Sequence, residues 1–515
     1  MSERKVGSVT YQEVGQEYFE KRGLRRHAGV LSLWALGVAA VISGDFFGWN
    51  LGLPAGGFGG LLIATVVITV MYIGLCYSIA EMSPALPHTG GAYSFGRSAM
   101  GPWGGFITGL AENLEYVVTP AVVVVAIGAY MDAIVIDLFD VDVPQQIWWA
   151  LFYGLFVGLN IVGIEATMKF TVWICFLSLG ILAVFFVSAL TDFSVDNLTN
   201  IPPEPGNSEF LPFGIEGIFK NLPFAIWFYL AIEELPLAAE ESMDPRRDIP
   251  KATMWGLWAL VVTGVLTLFL NTGTSSGAAG IGATLEPLFQ GFIDIFGAGT
   301  AASLLALVAV IGLVASFHTI IFAYGRNIFS LSRAGYFPKW MSITHGQRRT
   351  PHVALLLGAV IGFGLAWWIS EASGNVGAAL LTMAVFGAVI SYAMQMLSFI
   401  LLRRKLPNIE RPYRSPVGVW GAAIAGIIAL VSLVSLYLDE SYRPGVIGTA
   451  IWFVLGLIYF AVSGRNKLVL SPEEEFALTS GEHGVPQETY STSKEEQEAI
   501  LSGGTSSTTP QVPSG

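Results

Sequence analysis

A helix must offer about 20 apolar residues to cross the hydrocarbon core of a bilayer. This chain offers twelve such stretches, at roughly 29–53, 58–82, 103–127, 146–165, 170–190, 213–239, 252–272, 300–325, 352–370, 376–401, 418–438 and 445–463. Between them there is too little charge to clothe a water-soluble protein. Only 12% of the 515 residues are charged, against roughly 25% in an average soluble domain. The pattern predicts an all-α polytopic membrane protein with a 12-helix domain over 29–463. A polar segment, 1–28, precedes it, and a Ser-, Thr-, Gly- and Glu-rich tail, 464–515, follows it and reads as disordered. Met1 to Arg26 has no apolar core of the kind a cleavable signal needs.

Cationic residues test that count independently. With both termini placed in the cytoplasm, Arg25, Arg26, Arg97, Lys169, Arg246, Arg247, Lys251, Arg333, Arg348, Arg403, Arg404, Lys405 and Arg465 all fall inside. Lys220 and Arg443 alone fall outside. A miscounted helix would invert everything downstream and spoil that separation. The expected location is the plasma (inner) membrane. The net charge of −12 is no signature of nucleic-acid binding, and Cys76 and Cys175 cannot build a disulfide framework or a four-ligand zinc site.

The informative residues are those a lipid-embedded helix should avoid. Asp45, Glu112, Glu115, Glu233, Glu234 and His318 all lie within predicted spans. An Asp at a helix centre costs about 2.5–3.5 kcal/mol on the insertion scale, so such groups face a cavity or pathway. Two of them coincide with sequences that interrupt helices. Span 1 carries Ser43-Gly44-Asp45, and span 6 carries Glu233 and Glu234 just before Pro236. Ser, Gly and Asp favour local hydrogen bonding and backbone freedom, and proline removes a donor. Interrupted helices in corresponding positions of two halves point to a midplane binding site. The halves are then about 29–190 and 213–401, with helices 11 and 12 appended. Phe46, Phe47, Trp49, Tyr116, Trp227 and Tyr229 gather around the same acids, a combination suited to an organic ammonium. For Asp45 and Glu233 the plainer alternative is a carboxyl that satisfies freed backbone donors.

Three motifs carry a resemblance. Leu86-Pro87-His88-Thr89-Gly90-Gly91-Ala92-Tyr93 continues to Arg97 and Gly101-Pro102. Ala238-Ala239-Glu240-Glu241 is followed by Asp244-Pro245-Arg246-Arg247-Asp248-Ile249-Pro250-Lys251-Ala252. Tyr324-Gly325-Arg326 is followed by Ser332-Arg333-Ala334-Gly335-Tyr336-Phe337-Pro338. Together they resemble the amino acid–polyamine–organocation (APC) superfamily, which implies a LeuT-like 5+5 inverted repeat with discontinuous helices 1 and 6. Ser43 to Gly57, Glu112-Asn113-Leu114-Glu115-Tyr116 and Ser316-Phe317-His318 are similar to its ethanolamine permease branch. Amino-acid carriers of the superfamily typically have Gly-Ser-Gly at the first break, where this chain has Ile42-Ser43-Gly44 and then Asp45.

The resemblance puts substrate contacts at Ser43, Gly44, Asp45, Glu115, Tyr116, Trp227, Tyr229, Ala231 and Glu233. Asp45 or Glu115 would pair with the ammonium, Trp227 and Tyr229 would wall it, and Glu233 would bind it or carry a coupling proton. Glu112, His318, Phe46 and Trp49 are candidates for coupling or gating. The implied activity is secondary uptake of ethanolamine, with an amino-acid permease or a choline or other amine carrier as alternatives. No cofactor or bound metal is expected beyond a co-transported proton or sodium ion. Span 5 lacks the lysine through which some relatives couple to protons. Proton symport, sodium symport, exchange and facilitated diffusion are all compatible with the sequence. There is no Walker A run, HExxH or GxSxG elbow, which argues against ATP hydrolysis and enzymatic chemistry. Four plainer expectations complete the reading. Glu165 pairs with Lys169 near the inner surface. Glu240, Glu241, Asp244 and Asp248 cap and bridge beside Arg246 and Arg247. Glu81 and Arg97 are structural, and His318 is either a proton shuttle or a packing residue.

Overall fold

The computed structural model describes residues 3–479 apart from 13, 15, 87, 373–375 and 439–442. Eleven of its helical segments are long and apolar enough to cross a membrane. The first span is shorter and split, so the twelve predicted spans are all present. It comprises α1 (Val30–Val41) and α2 (Ser43–Phe46). There follow α3 (Gly52–Ala85), α4 (Ala92–Phe139), α5 (Gln145–Val162), α6 (Ile164–Ala189) and α7 (Gly214–Trp227), which runs into a 3-10 segment, Ile232–Glu241. The second half continues with α8 (Pro245–Thr272), α9 (Thr300–Arg333), α10 (His352–Ala372) and α11 (Val376–Lys405), followed by α12 (Gly418–Leu438) and α13 (Arg443–Val462). Each half thus opens on an interrupted helix, the LeuT-like arrangement the motifs imply.

The long helices α3 and α4 bend at Gly57 (φ +71°) and Gly101 (φ +80°), conformations that an L side chain resists. The apolar stretches at 58–82 and 103–127 begin just beyond these bends. Large apolar side chains such as Trp173, Val187, Trp368 and Val462 remain exposed around the bundle. In water they would be a liability; in a bilayer they are the lipid-facing surface.

Both interruptions differ in detail from the sequence reading. Ile42 keeps helical dihedrals and Phe47 donates to the Ser43 carbonyl, so Ser43–Phe46 is still a helical turn. The chain leaves the helix at Phe47 (extended) and Gly48 (φ +95°), downstream of Asp45, because only there does a glycine supply the positive φ that the reversal requires. In span 6 the chain turns at Ala231 (φ +85°, ψ 0°), not at Pro236, which sits within the 3-10 segment. A left-handed non-glycine residue stores local strain and persists only where its surroundings fix it.

The tail is also more ordered than expected. Beyond Val462, a short strand β3 (Leu468–Val469) runs parallel to β2 (Val9–Gln12), which pairs antiparallel with β1 (Glu3–Val6). Helix α14 (Pro472–Leu478) follows. The disordered-tail reading fails for 464–479 because buried ion pairs hold this segment; 480–515 lie outside the described residues. The first and last described segments, Glu3–Gln12 and Leu468–Leu478, therefore meet on one face, the terminal face.

Gly44 brings the two interruptions together. A Cβ there would lie 2.4 Å from the Trp227 carbonyl oxygen, a contact no side chain can make. Gly44→Val is expected to cost on the order of 1–3 kcal/mol through overpacking, lowering the melting temperature of the purified protein. Gly158→Ala, on the open face of α5 with nothing within 4 Å, should leave it unchanged. Equal melting of both variants would contradict this packing.

Candidate functional site

The interrupted helices lie against each other near mid-bundle and are sealed by aromatic contacts. Trp49 stacks on Phe228 at 5.7 Å between ring centroids, and the Trp227 indole lies so close to Gly48 that a Cβ would meet its Nε1 at 2.6 Å. The Phe46 ring packs on Gly312 of α9, while its carbonyl accepts from the Tyr130 hydroxyl at 2.7 Å. The Ser43 hydroxyl donates to Ser316 at 2.9 Å, and Ser316 donates to the Ala40 carbonyl. Ser43 and Phe46 are thus engaged in packing against neighbouring helices.

The buried acids divide into two groups. Asp45 faces α8, beside the Thr263 and Thr267 hydroxyls, and its Oδ2 has no hydrogen-bond partner. Glu115 of α4 faces Glu233 of the 3-10 segment. One oxygen of Glu115 accepts from the Tyr392 hydroxyl at 3.2 Å, and Tyr392 in turn accepts from Tyr72 at 3.0 Å. The other Glu115 oxygen and both Glu233 oxygens are buried without a well-formed hydrogen bond, although the Glu233 carboxyl lies beside Glu115, Tyr392 and the backbone amides of Ala231 and Glu233. Tyr72 and Tyr229 stand between the groups with ring centroids 5.1 Å apart, and the Tyr229 hydroxyl is 2.7 Å from that of Thr69. One turn from Glu115, Glu112 accepts from Asn327 at 3.2 Å and from Tyr116 at 3.5 Å. Glu234 has both oxygens unpartnered, with Arg326 the cation in its vicinity.

Of the sequence-predicted residues, the structure therefore brings together Glu112, Glu115, Tyr116 and Glu233, with Tyr229 in the tyrosine pair beside them and Asp45 on its far side. Gly44 and Trp227 form the backbone crossing itself, Trp49 stacks beside it on Phe228, and Ala231 is the left-handed turn four residues beyond Trp227. His318 stands apart from the acids. Its Nδ1 is 3.0 Å from Asn160 Nδ2, and its ring packs edge-on against Phe156 and Phe170. The packing reading fits it. Tyr72, Tyr392, Asn327, Thr263 and Thr267 escaped the sequence reading. Each is a lone polar group in an apolar span, and only the tertiary fold sets it against an acid. Among the described residues no group of three or more His, Cys, Asp or Glu is placed to hold a metal ion.

Toward the terminal face Glu240 and Glu241 form the salt bridges expected of them, with arginines of α9. Arg326 makes a bidentate pair with Glu241 (3.0 and 2.9 Å), and Arg333 makes one with Glu240 (2.8 and 2.6 Å). Arg246, adjacent in sequence, reaches Glu410 instead. The 3-10 geometry of 232–241 turns these glutamates inward onto α9, a direction that residue spacing alone does not reveal. The Glu165–Lys169 pair forms as expected at 2.9 Å, and Glu81 binds Arg403 and Arg411.

Comparison with known proteins places this architecture. An uncharacterized transporter of Rhizobium meliloti is 27% identical over 76% of this chain and 83% of its own length. Two Bacillus subtilis proteins are each 23% identical over 87% of this chain. One is the branched-chain amino acid permease BcaP, 95% covered, and the other a methylthioribose transporter, 96% covered. The family profile described as amino acid permease matches residues 30–469, from the start of α1 to β3. This chain belongs to the amino acid permease family of membrane transporters.

Proposed function

We propose that the protein is a secondary transporter of a small organic ammonium, with ethanolamine the favoured substrate, and that the Glu115–Glu233 pair receives the ammonium group. The reading rests on one observation above all: two carboxyls face each other in a buried site, and three of their four oxygens lack a well-formed hydrogen bond. A buried charge without a partner costs several kcal/mol, and a cationic cargo or a proton offsets that cost. Tyr72, Tyr116 and Tyr392 supply aromatic and hydroxyl contacts around the pair, while Trp227 and Tyr229 close it toward Asp45. Glu233 is the candidate proton carrier when the ammonium is absent, because like charges so close cannot both stay ionised cheaply.

The break backbone supports an ammonium over a carboxylate. A helix-break amide receives a substrate carboxylate only if it is free. Here the amides of Asp45, Phe47, Leu230, Ile232 and Glu234 already donate to Ile42, Ser43, Ile226, Tyr229 and Ala231, that of Gly48 donates to the Asn50 side chain, and those of Ala231 and Glu233 face the Glu233 carboxyl. A second reading, transport of an amino acid, is favoured by the branched-chain permease among the relatives. The methylthioribose transporter, equally similar, shows that likeness at this level does not fix the substrate. The distribution of Lys and Arg supports an inner-membrane protein with both termini, and hence the terminal face, in the cytoplasm.

In proteoliposomes, labelled ethanolamine is expected to accumulate under an imposed proton or sodium gradient and to be displaced by excess ethanolamine. A mixture of free amino acids at the same concentration should compete at least tenfold less well. Displacement by amino acids and not by ethanolamine would establish the second reading.

Substitution separates the two acid groups. Glu115→Gln and Glu233→Gln should each reduce ethanolamine uptake more than tenfold while leaving the melting temperature unchanged or higher, since neutralising a buried unpaired carboxyl removes a desolvation penalty. Asp45→Asn, across the tyrosine pair, should have the smaller effect on apparent affinity. Normal uptake in both glutamate variants would remove the pair from the site.

A further inference from the structure

Helix packing is complete at Val462, yet the chain continues into an ordered segment that buries two adjacent glutamates. Glu473 and Glu474 are both fully inaccessible. Glu473 meets Arg333 at 2.5 Å, on the guanidinium nitrogen that also donates to Glu240. Glu474 accepts from Arg97 at 2.6 Å, from Tyr11 at 2.6 Å and from Tyr336 at 2.8 Å. Burial alone would push the Glu473 carboxyl up; Arg333 and His88 outweigh it and hold it below the ordinary glutamate range. The Phe476 ring lies edge-on against His88, with centroids 5.5 Å apart. Upstream, the Val469 amide donates to the Ala334 carbonyl, and Gly335 leaves no room for a side chain against the Lys467 carbonyl.

These contacts reach elements that otherwise meet only in part. Arg333 ends α9, Arg97 lies in the first turns of α4, His88 is in the 86–91 loop after α3, and Tyr11 belongs to the amino-terminal hairpin. Through Arg333 the segment also reaches Glu240, the end of the interrupted helix. Glu240 lies 3.4 Å from the Thr89 amide of that same loop. For the terminal face to open, the 3-10 segment must part from α9. The segment sits over that seam and grips the arginine on one side of it. Paired buried charges of this kind are costly to break singly, since each lost partner leaves another charge stranded.

We propose that residues Leu468–Leu478 form a strap that holds the terminal face closed, and that the strap must lift for the transporter to open on that side. The strap is independent of what the protein carries. Its test therefore uses no substrate: hydrogen exchange of the full-length protein in nanodiscs, read by mass spectrometry. The double variant Glu473→Gln/Glu474→Gln should exchange the amides of Ile232–Glu241 and of the 86–91 loop at least tenfold faster, with those of α12 unchanged. The converse variant, His88→Cys/Phe476→Cys, is joined by a short reducible bis-thiol linker, the native Cys76 and Cys175 being buried. Linked, it should exchange Ile232–Glu241 at least tenfold more slowly, and reduction should restore the parent rate. Unchanged exchange over Ile232–Glu241 in either variant overturns the strap. If the double variant is loosened throughout, α12 included, the linked pair decides by the same two results.

Discussion

Carrying carboxyl groups into the interior of a membrane-spanning bundle is the constraint to which the rest of this structure answers. Asp45, Glu112, Glu115, Glu233 and Glu234 are all buried, and in hydrocarbon none could be left facing lipid. The fold places every one of them between helices. It does so by interrupting two helices and pressing the interruptions together at Gly44 and Trp227, where the absence of a side chain allows one backbone to reach the other. Tyrosines then divide the acids. Glu112 and one oxygen of Glu115 accept from hydroxyl and amide donors, whereas the other Glu115 oxygen, Glu233 and Glu234 lack well-formed hydrogen bonds. On the proposed reading, the facing Glu115–Glu233 pair is the part of this set that a cargo reaches.

The architecture was legible in the sequence because lipid makes few demands and enforces them strictly. The number, length and order of the apolar spans follow from composition along one dimension, whereas the bends at Gly57 and Gly101 appear only in the structure. The candidate site was legible in part. Acids within apolar spans are conspicuous, so Glu115 and Glu233 stand out, but their neighbours do not. Tyr72 and Tyr392 lie 320 residues apart and look like ordinary aromatics until the fold sets them side by side. The breaks were located only to within a few residues. Ser43-Gly44-Asp45 is permissive of a break without requiring one, and the reversal falls at Gly48. Pro236 looked decisive in span 6, yet a 3-10 segment tolerates it, and the turn falls at Ala231, a residue with no local signature.

The tail misled for a related reason. A stretch rich in Ser, Gly and Glu reads as solvated, and composition cannot show that Glu473 and Glu474 meet Arg333 and Arg97 from distant parts of the chain. Charge on the terminal face is thus arranged in buried pairs that join the ends of helices, while charge at mid-bundle is left partly unsatisfied. The two regions connect through one short segment, Ile232–Glu241, which carries Glu233 at its start and Glu240 and Glu241 at its end.

The most direct test of an ammonium held between the facing glutamates is a structure of the purified protein with ethanolamine bound. The account predicts the substrate nitrogen at hydrogen-bond distance, about 2.7–3.2 Å, from oxygens of both Glu115 and Glu233, with the hydroxyl end turned toward Tyr229. Ethanolamine resting against Asp45 and Thr263 with the glutamate pair untouched, or no density for it between the interrupted helices, would contradict it.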